Sequence, residues 1–311
     1  MPNWVVSLPE RLDVFLASQG RMLSRAKAQA AIEAGRVLVN DVVTTKSSLR
    51  LQEGDVVKLE EEAVVVDDHI EPVDLQLESL YEDDTCMVIN KPAGIAVHPG
   101  AGMAPGEKTI LHGIAFVFRK RSLPFSSEAV LVHRLDKDTT GCLLVAKNPA
   151  AHMFLQGQFE TRTVQKQYLA LIAGVPEVPA AVIDAPIGRS TANRTTMAVT
   201  GSAGSREAQT TYRVLEAKGK VALVLCDLHT GRTHQVRVHL SSIGHPVLGD
   251  GTYRNDLSEM LAEEFDLHSL SLHAWKLTFL SPNDQREHQV EAPLPYPFVH
   301  ALETIGMVWK P

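Results

Sequence analysis

The nonapeptide His133-Arg134-Leu135-Asp136-Lys137-Asp138-Thr139-Thr140-Gly141 constrains this chain more than any other stretch. The apolar run Ala129-Val130-Leu131-Val132 leads into it, and Cys142-Leu143-Leu144-Val145-Ala146 leads out. Both runs are short and rich in branched side chains, so each predicts a buried strand. A charged loop between two buried strands is where a rigid scaffold presents chemistry. Gly141 lets the chain turn tightly back into the core. The same residues also suit a plain surface turn in which Asp caps its own backbone.

The rest of the chain bounds the alternatives. Its 311 residues suffice for a large core and two domains. No apolar run approaches the length of a membrane span. The start, Met1-Pro2-Asn3-Trp4, lacks the basic and apolar blocks of a secretory signal. Cys86, Cys142 and Cys226 each sit in an apolar run, which predicts buried free thiols in a reducing, cytoplasmic setting. A net charge of −7 argues against a nucleic-acid partner until its distribution is read. Residues 60–84 hold eleven acids and no Lys or Arg; outside them 26 acids face 30 bases. The remainder therefore has enough positive charge for basic faces.

Read in order, Leu12, Phe15 and Leu16 share one helical face, and Ser24 predicts the N-cap of a second helix that stops at Gly35. Val37-Leu38-Val39, Asn40-Asp41 and Val42-Val43 spell a hairpin, and residues 56–59 a further strand. The bases Arg11, Arg21, Arg25, Lys27 and Arg36 gather on or beside the helices. The acidic stretch that follows, with Pro72 and few aromatics, predicts a solvated linker over 63–79. From residue 80 onward strands outnumber helices and tight turns join many of them. Strands are expected at 85–90, 166–173, 210–215 and 221–228, with a late hairpin of 275–280 and 288–290. Helices are expected from Thr109, from Asn148-Pro149, after Thr233 with Val236, Leu240 and Ile243 inward, and over 298–305. The expected class is α+β: a small N-terminal module, then a mixed, mainly antiparallel sheet flanked by helices and loops.

Turns bearing Lys91, Arg134 and Arg232 sit at strand ends, among His98, His133, His234 and His239. His234 and His239 are five apart and share no helical face, so a metal site is disfavoured. There is no Gly-x-Ser-x-Gly elbow, Walker loop or dinucleotide glycine triad. A carboxylate can act as a covalent nucleophile at a sugar carbon. It must be ionised, which a guanidinium enforces through paired hydrogen bonds. Asp136 is the best candidate and Arg232 a plausible partner. A glycosidase would want a second carboxylate and many aromatics, and only 5% of residues are aromatic.

Residues 133–141 resemble the signature of the RluA family of pseudouridine synthases. Asn90-Lys91-Pro92-Ala93-Gly94, Lys166-Gln167-Tyr168, Thr230-Gly231-Arg232-Thr233-His234-Gln235-Val236-Arg237-Val238-His239-Leu240, His245-Pro246-Val247-Leu248-Gly249-Asp250 and Leu272-His273-Ala274 resemble its other motifs, in the expected order. Many relatives read Thr-Ser-Gly where this chain has Thr139-Thr140-Gly141. That variant and Val97-His98-Pro99-Gly100-Ala101-Gly102 resemble the RluD-like branch. Residues 9–62 resemble the RNA-binding (αL-type) module named after ribosomal protein S-four, with Asp41 where that module commonly has Gly. The resemblance implies a synthase domain over 80–311 that isomerises uridine in RNA, with large-subunit ribosomal RNA or a pre-ribosomal particle as partner. It implies Asp136 as nucleophile, Arg232 paired with it, Tyr168 stacked on the base and Leu272 beneath the Tyr. Arg134 would fill the gap left by a flipped nucleotide, and Lys91, Arg25 and Arg36 would contact substrate RNA. No cofactor or metal is required for an isomerisation, and a monomer is expected. A catalytically idle RNA-binding or ribosome-assembly protein, and a synthase acting on transfer RNA, are the alternatives.

Overall fold

The computed structural model describes residues 3–18, 22, 25–60, 70–100, 103–104, 106–193 and 195–309. Ser24, expected as an N-cap, and residues 61–69 of the acidic stretch lie outside them. The N-terminal part runs β1 (Asn3–Val5), α1 (Leu12–Ala17), α2 (Arg25–Glu33), β2 (Val37–Val39), β3 (Val42–Thr44) and β4 (Val56–Leu59). Its strands lie in the order β1-β4-β2-β3. Leu12, Phe15, Leu16, Ala28, Ala31 and Ile32 from the helices close a core over Val37 and Val57 of this sheet. Asn40 and Asp41 both take positive φ (52° and 64°), as a tight hairpin requires. Lys58 forms an ion pair with Asp41, which offsets the negative charge placed at the turn.

The larger part runs β5 (Glu78–Glu82), β6 (Cys86–Lys91), α3 (Ile110–Lys120), β7 (Thr140–Ala146), α4 (Pro149–Glu160), β8 (Gln165–Ala173) and β9 (Ala180–Asp184). It continues through β10 (Ile187–Arg189), β11 (Met197–Val199), β12 (Gln209–Lys218), β13 (Val221–Leu228), α5 (Gln235–Ser242) and α6 (Asp256–Glu264). It ends with β14 (Leu272–Leu280), β15 (Glu287–Glu291) and α7 (Tyr296–Ile305). One sheet takes the order β5-β6-β7-β14-β8-β13-β12-β9, with β15 on β14. All its named pairs are antiparallel except β7 with β14. The chain is thus the α+β protein expected, built on a mixed, mainly antiparallel sheet. Local chemistry explains the helix starts. Asn148 accepts from Ala151 N–H ahead of Pro149, and Thr109 exchanges hydrogen bonds with His112 at the head of α3.

Three expectations change. Residues 129–132 form no strand beyond a bridge between Leu131 and Val145. The cause is His133: its Nε2 accepts the Leu144 N–H at 2.8 Å, the donor that a strand carbonyl would otherwise take. The described end of the acidic stretch is no solvated linker either. Val73 N–H donates to His112 carbonyl, and Leu75 and Leu77 press on Gly113 of α3, where a Cβ would lie 2.7 Å from Leu77. Ile243 falls just past the end of α5 and is exposed.

Candidate active site

The loop carrying Asp136 is held from below by a buried cation. The Lys91 side chain is fully buried, and its Nζ donates to the carbonyls of Pro92, Lys137 and Thr139 at 2.7–2.9 Å. Burial pushes its ammonium down to about 8, against the pull of Asp138 and Asp136. Lys91 therefore shapes the loop and cannot reach RNA, contrary to the expectation placed on it. Thr139 N–H closes the turn on the Asp136 carbonyl at 3.2 Å. The chain then enters β7, where His273 and Ala274 of β14 align with Thr140 and Gly141. Gly141 has φ +108°, and a Cβ there would sit 2.2 Å from the Ala274 carbonyl oxygen. Only glycine permits that approach. Thr140 Oγ1 and His273 Nδ1 stand 2.7 Å apart, which ties the loop's exit to β14.

A cavity of about 580 Å³ opens over this loop. Asp136, Tyr168, Leu272, Arg134 and Arg232 all line it. Tyr168 on β8 is buried, and burial followed by the charge of Asp136 raises its phenol above the usual range, so the hydroxyl stays protonated. Leu272 pairs with Ala170 in the β8–β14 ladder. Ala170 is two residues from Tyr168, so all three side chains face the same side of the sheet. Arg134 is exposed and donates from Nη1 to His98 Nε2 at 2.9 Å.

The partner of Asp136 is not the expected one. Arg237 Nη1 lies 3.2 Å from Asp136 Oδ2, while Arg232 Nε donates to the Glu207 carbonyl at 2.9 Å. Arg232 belongs to the turn before α5, whereas Arg237 lies inside the helix and faces the core. Arg237 also forks onto Asp250, Nε to Oδ2 at 2.7 Å and Nη2 to Oδ1 at 2.9 Å. Burial works against its charge, but Asp250 and then Asp136 outweigh burial and raise the guanidinium above its ordinary value. Asp250 is itself fixed by the N–H groups of Thr252 and Tyr253. His234, at φ +57°, brings Nε2 to 4.0 Å from Asp136 Oδ1, and its Nδ1 is 2.8 Å from the Tyr253 hydroxyl. The sequence signal for Arg237 was present: a lone arginine between Val236 and Val238 on a helix, with Asp250 ending an apolar run. A buried arginine demands a carboxylate.

In the N-terminal part, Asp13 has a fully buried side chain and accepts from Arg11, Arg25 and Gln29. The Arg11 hydrogen bonds and the other donors hold its carboxyl well below the usual range despite burial. Arg25 stays 55% exposed, so the carboxylate aims its guanidinium at the surface. Arg36 is half-buried at the start of β2.

Comparison with known proteins places this geometry. The RNA pseudouridylate synthase family matches residues 85–242, and the S4 domain matches residues 10–57. An uncharacterised RNA pseudouridine synthase of Mycoplasma genitalium is 36% identical over 307 residues, covering 98% of this chain and 95% of the relative. Ribosomal large subunit pseudouridine synthase D of Nitrosomonas europaea is 39% identical over 297 residues, covering 95% of this chain and 84% of the relative. Among solved structures, human RNA pseudouridylate synthase domain containing 4 is 30% identical, with a TM-score of 0.59 over 73% of this chain and 92% of that one. The chain belongs to the RNA pseudouridylate synthase family, enzymes that isomerise uridine in RNA, and it carries an S4 domain ahead of the synthase fold.

Proposed function

We propose that this protein converts uridines of large-subunit ribosomal RNA to pseudouridine, with Asp136 as the nucleophile and Arg237, not Arg232, as its partner. The observation that carries the assignment is the 3.2 Å contact between Arg237 Nη1 and Asp136 Oδ2, at the cavity that Tyr168 and Leu272 also line. The guanidinium fixes the carboxylate and aims it into the cavity. A stacked uridine cannot be reworked in place, so it is extruded into the cavity, where Tyr168 stacks on the base above Leu272 and Arg134 fills the vacated position. Asp136 attacks C1′ of the ribose as its bond to N1 breaks; the freed base turns, and its carbon 5 bonds to C1′ and displaces Asp136. Carbon 5 loses a proton and N1 gains one, so the product is an isomer of the substrate. The ribosomal target is supported by relatives from Nitrosomonas europaea and Vibrio cholerae, both named ribosomal large subunit pseudouridine synthase D.

Arg25 and Arg36 of the N-terminal part would lie along the RNA backbone, contacts that orient the substrate without reading its sequence. The chain is read as a monomer of the cytoplasm, consistent with Cys86, Cys142 and Cys226 all being buried free thiols. Asp136→Asn is expected to abolish pseudouridine formation in large-subunit ribosomal RNA while RNA binding persists. Full activity of that variant would refute the nucleophile assignment.

A further inference from the structure

With Arg237 holding Asp136, Arg232 is free for another task, and its surroundings indicate which. Arg162, Lys166, Arg206 and Arg232 line one wall of the active-site cavity, while its lining carboxylates are Asp136, already paired, and Glu160. Each of the four comes from a different, well-anchored point. Arg162 follows α4 at φ +60°. Lys166 is on β8. Arg206 is locked to Ile187 of β10 by two backbone hydrogen bonds of 2.9 Å. Arg232 is tied to the Glu207 carbonyl, whose own carboxylate lies 3.7 Å from Arg162 and is 88% exposed. So open a carboxylate is screened by water and neutralises little.

The cations also oppose one another. Burial lowers Lys166 to about 8, helped by the charges of Arg162 and Arg232. Arg232 is lowered by burial, then by Arg206 and Arg162. A scaffold that holds four like charges together, two of them (Lys166 and Arg232) partly buried and two (Arg162 and Arg206) exposed, is suited to an anion among them. Lys166 and Tyr168 are alternate residues of β8, so they share a face roughly 7 Å apart. The cationic wall thus begins one pleat from the platform assigned to the base.

The geometry points to a phosphodiester-binding subsite formed by Arg162, Lys166, Arg206 and Arg232, which grips the RNA backbone next to the extruded uridine. This rests on the reading of Asp136 and Tyr168 as the uridine site. Arg232 here binds substrate and does not position the nucleophile.

The test measures RNA affinity against salt with Asp136→Asn protein, so that chemistry does not intervene. Two probes are used: transcribed large-subunit ribosomal RNA and a uridine decamer. The added pair Arg162→Gln and Arg206→Gln is expected to weaken decamer binding about tenfold at 0.1 M salt. It should also lower the slope of log affinity against log salt by about 1.4, at about 0.7 per single-strand phosphate contact. Arg119→Gln with Lys120→Gln, the same charge change on the exposed end of α3, is expected to leave the slope in place. An unchanged slope for the pocket pair, or an equal fall for the α3 pair, overturns the subsite. Loss of ribosomal RNA binding by the parent, with the decamer result intact, would overturn the ribosomal target and leave the subsite standing. Binding of neither RNA by the parent overturns both.

Discussion

At the scale of single residues, two arginines in one motif divide the work. Arg237 joins Asp136 to Asp250, whose side chain is fully buried. Its loss would leave a buried carboxyl group, Asp250, without its partner, which costs about 3–5 kcal/mol. Arg237→Gln is therefore expected to lower both activity and the urea midpoint. Arg232→Gln touches no buried carboxylate and should shift stability by less than about 0.5 kcal/mol; equal urea midpoints for the two variants would refute this division. Lys91 makes a second contrast. Lys91→Met strips the donor from three carbonyls beneath the loop, at about 1–3 kcal/mol for each buried group left unsatisfied. A melting temperature equal to that of the wild type would show that the lysine is not the clamp its three hydrogen bonds describe. Arg237 could be suspected from the sequence because an arginine among valines needs a carboxylate, yet periodicity cannot say which arginine reaches Asp136.

Among the elements, the decisive one is β14, which lies between β7 and β8 and sets Leu272 opposite Ala170, on the same side of the sheet as Tyr168. Gly141 makes that position possible. Gly141→Ala would place a methyl group 2.2 Å from the Ala274 carbonyl oxygen at a φ that side chains resist. The β7–β14 pairing must then part, and a loss of about 3 kcal/mol or more is expected in urea unfolding. A loss under about 1 kcal/mol would mean the two strands separate freely. The apolar run at 129–132 shows why element type was only partly legible. Its composition is that of a strand, but the His133 imidazole supplies the acceptor for Leu144 N–H, and composition does not register a side chain that replaces a ladder carbonyl.

For the whole molecule, two consequences follow from separate cores and buried imidazoles. The N-terminal core, from Val6 to Val57, is its own cluster. Deleting residues 1–62 is expected to weaken RNA binding and flatten its salt dependence while the remainder keeps its melting transition. Equal affinity and slope would remove the RNA role of the S4 domain. Burial pushes His273 down to about 4, so it stays neutral in the fold while the unfolded chain takes up a proton near pH 6.5. Stability then falls as pH drops from 6.5 towards 4, by up to about 1.4 kcal/mol per pH unit from this group. His133, lowered by burial and then by Lys166 to about 3, adds in the same direction. The urea midpoint should decline from pH 7 to pH 5, and His273→Gln should flatten the decline; a midpoint constant across that range counts against the burial of His273.

By itself the sequence determined the class, the places of most strands along the chain and the residues of the loop, because hydrophobic period, caps and turn residues act over a few positions. It also placed Asp136, Tyr168 and Leu272 among the site candidates through their motifs. Only the tertiary structure decided which arginine holds Asp136, that Lys91 lies under the loop and not on the RNA, and that cations from three separate stretches, 162–166, 206 and 232, meet on one wall. Those outcomes depend on distances between side chains far apart in the chain, and local patterning carries no information about them.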